Sequence, residues 1–329
     1  MEKVKFLKRP KLNHPYLIIA WPGMGEVAFK AAHFLVDKLK AQEFANIRSR
    51  DFFYLTASQI EKGILNLPEL PYSKFYYWKN PLTKTTSRFL KNDLIIFLSN
   101  AQPDLSKYDE YCQCIFSVIK YFPIKMVICF AAMPLPIDHT QEPAVWACAT
   151  DNKLKELLSK YNLKLMSEGQ ISGMNGLFLG MAKKKGLTGF CLLGEIPIYT
   201  IQIENPKASY AVLEALNKIL NLSIDIRELK DQADFVESQI NQLVDYLKLG
   251  TQQLPPIGEE EIEGIKKSLS QYTKLPDSVK TNIESLFEQA RKDISKANIL
   301  KQELDKWNVY KDYEDRFLDL FKKPKEKGN

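Results

Sequence analysis

Residues 169–195, GQISGMNGLFLGMAKKKGLTGFCLLGE, hold seven of the chain's 14 glycines and read as a turn, a helix, a second turn and a buried strand. Met174, Leu177, Phe178 and Met181 fall at i, i+3, i+4 and i+7, the spacing of one apolar face of an α-helix. Lys183 to Lys185 followed by Gly186 marks a helix end. Cations there oppose the negative pole of the dipole, and glycine accepts a left-handed backbone. Phe190 to Leu193 then reads as a short apolar strand, with Glu195 just past its carboxyl end. Gly176 and Gly180 lie inside the helix, each costing about 0.5–1 kcal/mol relative to alanine. Close packing of another backbone is the expected compensation, and approach of a ligand is the alternative.

The same alternation of strand and helix runs outward to the amino terminus. Tyr16–Ala20 (YLIIA), Leu94–Leu98 (LIIFL) and Met126–Phe130 (MVICF) are apolar throughout, as strands buried on both faces are. Residues 43–55 and 64–78 read as shorter strands. Helices are expected at Glu26–Leu39, with Val27, Phe34 and Leu35 inward, at Ser106–Phe122, and at Leu154–Tyr161 behind Thr150 or Asp151 as cap. Asn205-Pro206 is a cap followed by proline at the first helical position, opening a helix to Leu220. This order implies an α/β fold with a mostly parallel sheet covered on both faces.

Ligands of such sheets gather beyond the carboxyl ends of the strands. Those ends supply Gly23, Met24 and Gly25, Asn100 and Gln102, Met133, and Glu195 with Tyr199. Ser172, Gly173 and Asn175 join them from the amino end of the glycine-rich helix, whose free N–H groups suit an anion.

From Asp225 the period changes. Ile226, Leu229, Ala233, Val236, Ile240, Leu243 and Leu247 alternate steps of three and four, an a/d stripe over about three heptads. A second stripe follows at Val279, Ile283, Leu286, Ala290, Ile294 and Ala297. Charge shifts at the same place: residues 1–224 carry 28 Lys and Arg against 19 Asp and Glu, and residues 225–329 carry 18 against 21. A sheet domain at 1–224 and a helical region at 225–329 are therefore expected. The two stripes are expected to form an antiparallel hairpin or, alternatively, an oligomer seam, and the basic tail KKPKEKGN is expected to be disordered.

The reaction classes with short signatures are poorly served. Gly23-Met24-Gly25-Glu26-Val27-Ala28 fits the permissive dinucleotide pattern with Glu43 about 20 residues on, but Trp21-Pro22 interrupts the strand-to-helix turn, and no cofactor is expected. No GxSxG or P-loop occurs. His14, His33 and His139 are the only histidines, and His139, in a proline-rich loop, reads as solvent-exposed. The five cysteines form no CxxC pair, which argues against zinc and against a disulfide framework. The longest apolar run contains two prolines, and the basic start lacks a signal-peptide core. A reduced cytoplasmic protein without membrane or nucleic-acid binding is expected.

PGMG after the first strand, DLIIFLSNAQP, ATD before a helix, ISGMNGLFLGMAKKKGLTGFCLLGEIPIY and NPKASYAVLEALNKIL together resemble the proteasome assembly chaperone 2 family, over about residues 13–225. The resemblance implies a three-layer α/β/α sandwich of phosphorylase/hydrolase-like kind, self-association as a homo-oligomer, and protein partners of the proteasome-subunit type. It carries Gly23, Gly25, Gln102, Pro103, Ser172, Gly173, Gly194, Glu195 and Tyr199 over as functional surface, and no catalytic residue. One departure concerns docking. Such chaperones often engage the proteasome ring by a terminal hydrophobic-Tyr-X tripeptide, whereas Val309-Tyr310-Lys311 is internal here and the sequence ends Lys327-Gly328-Asn329. Tail docking is therefore not expected. The reading that follows is a non-enzymatic assembly or scaffolding protein. The alternative is a nucleoside- or phosphate-type ligand binder, or a hydrolase- or phosphorylase-like enzyme, using the strand-end crevice.

Overall fold

The apolar strand runs meet in one sheet. The computed structural model of the chain describes residues 3–55, 58–81, 92–249, 277–306 and 310–321. Chain contacts divide it into two compact units, Met1–Tyr272 and Thr273–Asn329. In the first unit the strands are β1 (Val4–Phe6), β2 (Tyr16–Ala20), β3 (Gln42–Ile47), β4 (Gln59–Glu61), β5 (Ile64–Asn66), β6 (Ser73–Trp78), β7 (Leu94–Ser99), β8 (Met126–Leu135), β9 (Val145–Ala149), β10 (Lys164–Leu165) and β11 (Gly189–Pro197). Nine of them form a sheet in the order β1-β3-β6-β7-β2-β8-β11-β9-β10, and β4 with β5 forms a separate hairpin. The central strands β7, β2, β8 and β11 are parallel, flanked by antiparallel pairings on both sides.

Alternation along these strands explains why they are apolar at every residue. Leu17, Ile19, Phe97, Val127, Cys129, Cys191 and Leu193 enter the core beneath α2 (Tyr108–Ile119) and α4 (Gly173–Lys184). The opposite face carries α1 (Val27–Lys38) and α5 (Pro206–Leu220), which pack on β8 and β11. The result is the three-layer α/β/α sandwich. α3 (Asn152–Leu158) lies beside β9 and is capped by Asp151, whose Oδ1 accepts from the Leu154 N–H at 2.9 Å. Asn205 caps α5 in the same way, accepting from Ala208 at 2.9 Å.

Several boundaries depart from the pattern in the sequence. β8 runs to Leu135 and β11 through Pro197, so Glu195 lies inside a strand rather than past its end. On α4 the inward residues are Met174, Asn175, Phe178, Leu179 and Ala182, while Leu177 faces outward. The two glycines inside that helix differ. A Cβ at Gly176 would lie 2.1 Å from the Ile171 carbonyl oxygen, the expected close backbone approach; one at Gly180 would meet nothing within 4 Å.

The stripe beginning at Ile226 forms α6 (Arg227–Leu249), which belongs to the first unit and packs on α5. Ile226, Leu229 and Ala233 are buried, Val236 and Ile240 half-buried; the side chains of Leu243 and Leu247 lie outside the described residues. The second stripe has its own partners. In the second unit α7 (Asp277–Lys292), α8 (Ala297–Lys306) and α9 (Tyr310–Asp319) enclose Ile283, Phe287, Ala290, Ala297, Leu300, Leu304 and Phe317. Arg316 holds Glu284 by two 2.8 Å bonds and lies over the Phe287 ring. The first compact unit reaches past residue 225 because α6 buries the start of its stripe on α5. Val309 and the tail from residue 322 lie outside the described residues.

Candidate functional site

The strand-end residues sort into three groups. In the first, the loop after β2 is held to the start of α4 by two side-chain amides. Asn175 accepts from the Trp21 N–H and donates back to the Trp21 carbonyl, both at 3.0 Å. Gln102 donates to the Pro22 carbonyl at 2.6 Å and accepts from the Met174 N–H at 3.1 Å. Gly173 has φ +72°, and a Cβ there would press on the Gln102 amide, so glycine is needed for both conformation and space. Ser172 caps α4 by position only, with no side-chain bond. Gly23 is extended and sits beside Asn175.

Gly25 and its neighbours face the other helical layer. Gly25 is left-handed at φ +59°, with room limited by Asn205 and Ile196. Its N–H donates to Ile201 O at 2.7 Å, its carbonyl accepts from Asn205 N–H at 2.8 Å, and Glu26 N–H donates to Gly23 O at 3.0 Å. Met24 opens the single turn of 3-10 helix at 24–26. The amides of Gly25 and Glu26, which a dinucleotide loop would present to pyrophosphate, are spent inside the protein. Glu26 is left-handed too, and its carboxyl is pushed up to about 7, chiefly by burial and then by the charge of Glu204, with Lys30 opposing.

Glu195 forms the second group. Its Oε2 accepts from Ala144 N–H at 3.0 Å, and its Oε1 from Trp146 Nε1 and Lys164 Nζ, each at 2.8 Å. Burial works to raise this carboxyl, but the bonds from Lys164, Trp146 and Ala144 together outweigh it and hold it below the usual range. Asn100 is likewise committed, accepting from Tyr72 N–H at 2.7 Å.

The third group centres on His139. Its side chain is only 7% exposed, correcting the solvent-exposed reading. The Tyr199 hydroxyl lies 2.9 Å from the His139 N–H, from which it accepts, and 2.8 Å from Nδ1; Nε2 lies 2.8 Å from Asn241 Oδ1 on α6. Lys207 makes a parallel tie, donating to Thr140 O and Glu237 Oε2 at 2.9 and 2.7 Å. α6 therefore lies over the crevice beyond β8 and β11, between Ile137, Pro143, Pro197 and its own Ala233, Val236 and Ile240, leaving about 20 Å³. Burial raises the Tyr199 hydroxyl, the His139 N–H acting against it.

The α4 latch, Glu195 and Tyr199 each use different partners: Trp21, Pro22 and Met174 for the latch, Ala144, Trp146 and Lys164 for Glu195, and His139 for Tyr199. Asn241, Lys207 and Glu237 escape sequence reasoning, and His139 enters it only as an exposed loop residue; the one available signal is Asp138-His139 just past a buried strand. Among the described residues no cluster of three or more His, Cys, Asp or Glu is placed to hold a metal, and no helix is long and apolar enough to cross a membrane. Every buried side-chain nitrogen and oxygen among them has a partner.

These features define a three-layer α/β/α protein whose strand-end polar groups tie loops and helices together. The chain belongs to the PAC2 family, whose model matches residues 17–244. Its structure is similar to Pyrococcus furiosus PbaB, an archaeal proteasome activator, at 30% identity and a TM-score of 0.61, covering 73% of this chain and 97% of that one. It is also similar to P. furiosus PbaA, an archaeal homolog of proteasome-assembly chaperone, at 25% identity and a TM-score of 0.55, covering 74% and 98%. An uncharacterized protein of Methanocaldococcus jannaschii is 27% identical over 77% of this chain and 93% of its own length.

Proposed function

We propose that this protein is a non-enzymatic assembly chaperone or scaffold of the cytoplasm that associates with itself and binds protein partners of the proteasome-subunit type. The observation that carries the reading is the similarity to the P. furiosus proteasome activator at 30% identity over 97% of its length. The geometry agrees with it. Gln102, Asn175 and Glu195 spend their polar atoms on internal hydrogen bonds, whereas large apolar side chains such as Ile60, Leu65 and Leu67 stand on the surface. A nucleoside- or phosphate-type ligand, or hydrolase-like chemistry, at the strand ends would have to break the Gly25–Ile201 and Gln102–Pro22 bonds first.

The test is assembly of dissociated archaeal-type proteasome α and β subunits, followed by native electrophoresis with increasing amounts of this chain. The expected outcome is faster appearance of rings or cores, with the chain comigrating with an intermediate. Unchanged assembly kinetics and no comigration at any ratio would contradict the proposal.

A further inference from the structure

The β4–β5 hairpin stands apart from the sheet, pairing only with itself among the described residues. Its register sets Ile60 opposite Leu65, and Leu67 follows just past the end of β5. These side chains are 72%, 67% and 75% exposed. A two-stranded hairpin is marginal in water unless something covers its apolar face, and an uncovered strand edge invites pairing. In sequence, acids at 61 and 69 flank the run, against one lysine at 62, and Glu69 is exposed.

A complementary surface lies elsewhere on the same unit. Phe116, Ile119, Phe122, Ile124 and Leu187 line a cavity of about 460 Å³ whose rim carries Lys120 and Lys185. Lys185 donates to Gln113 and lies over the Phe116 ring, and Lys120 lies over Tyr121. None of these lysines forms an ion pair with a carboxylate among the described residues.

Position decides how the two surfaces meet. The hairpin's stems leave the core at the carboxyl end of β7, where Phe52 O accepts from Asp104 N–H and Tyr72 O from Asn100 N–H. The cavity lies at the amino ends of β8 and β11, just before Met126 and Gly189. The two are at opposite ends of parallel strands, so one copy cannot fill its own cavity.

We propose that copies of this chain associate head to tail, the apolar hairpin face of one seating in the lysine-rimmed cavity of the next. The contact is heterologous, so repetition closes into a ring or runs on as a filament. Apolar surface supplies the attraction, and Lys120 and Lys185 opposite the exposed Glu69 select the orientation. The inference rests on the self-association part of the proposed function.

The experiment is native mass spectrometry of the full chain as wild type, as Leu65→Asp, and as Lys120→Glu with Lys185→Glu. Melting curves of each establish folding, with Leu67→Asp and Lys185→Glu alone as second variants. The wild type is expected to be a multimer and each variant a monomer. An equimolar mixture of the two variants is expected to give a two-chain species and nothing larger, since it retains one intact hairpin and one intact cavity. Variants that keep the wild-type mass, or a folded mixture that stays monomeric, would overturn the head-to-tail contact and leave self-association standing through another face. A monomeric wild type would overturn both, leaving the partner-binding reading to its own assay.

Discussion

Asn175 shows how much of the strand-end chemistry is structural. Its carboxamide satisfies both the N–H and the carbonyl of Trp21, a fully buried residue packed on Phe97 and Phe178. Asn175→Ala orphans both groups and is expected to cost about 2–4 kcal/mol, read as a lower melting temperature; an unchanged melt would contradict the latch. Glu26 gives a pH prediction. In the folded chain its carboxyl stays protonated to about 7, whereas the ordinary value is 4.5. Folding therefore retains a proton that the unfolded chain releases, so this group's stabilisation is full below about pH 4.5 and is lost as pH rises through 7. Glu26→Gln is expected to flatten the melting temperature across that window and raise it at pH 8. Parallel wild-type and variant profiles would refute this. Glu195 has the opposite sign, its contribution present at neutral pH and lost as pH falls through its depressed value. Residue types and strand-end placement were legible for Gly23, Gln102, Gly173 and Asn175. The partners were not, because they are distant in sequence: His139 and Asn241 are separated by 102 residues.

At the scale of elements, periodicity located the strands and helices of the sheet domain well, and helix rotation less well. Met174 and Phe178 are inward as the spacing implied, but Leu177 is not, because the tie from Asn175 to Trp21 turns α4 toward its 175 side. The two glycines of α4 now separate into opposite expectations. Gly176→Ala drives a methyl against the Ile171 carbonyl and should destabilise by about 1–3 kcal/mol. Gly180→Ala meets open space and should stabilise by about 1 kcal/mol through helix propensity. Equal or reversed melting shifts would refute the distinction. For α6, Ile240 lines the filled crevice beside loop 137–143. Ile240→Asp is expected to lower the melting temperature while leaving the native mass of the assembly unchanged. A smaller mass at unchanged stability would return the 226–247 stripe to the role of an oligomer seam. The seven-residue period alone did not distinguish these partners, since an a/d stripe reports that a face is covered and not by what.

At the scale of the whole molecule, the alternation of apolar strands and helices implies the α/β/α layers, and the family match runs across them over residues 17–244. The division of the carboxyl-terminal helices was harder to read. α6 packs on α5 of the first unit, while α7, α8 and α9 build a separate core around Phe287 and Phe317. Charge balance reported a change of composition at 225, which is not a change of packing partner. The central claim is that this molecule is a protein-assembly factor. It is tested most directly by native mass spectrometry of the full chain, alone and mixed with purified archaeal-type proteasome α subunits. The account predicts a self-associated species that gains whole α-subunit masses on mixing. A chain that stays one subunit in mass, alone and in the mixture, would contradict it.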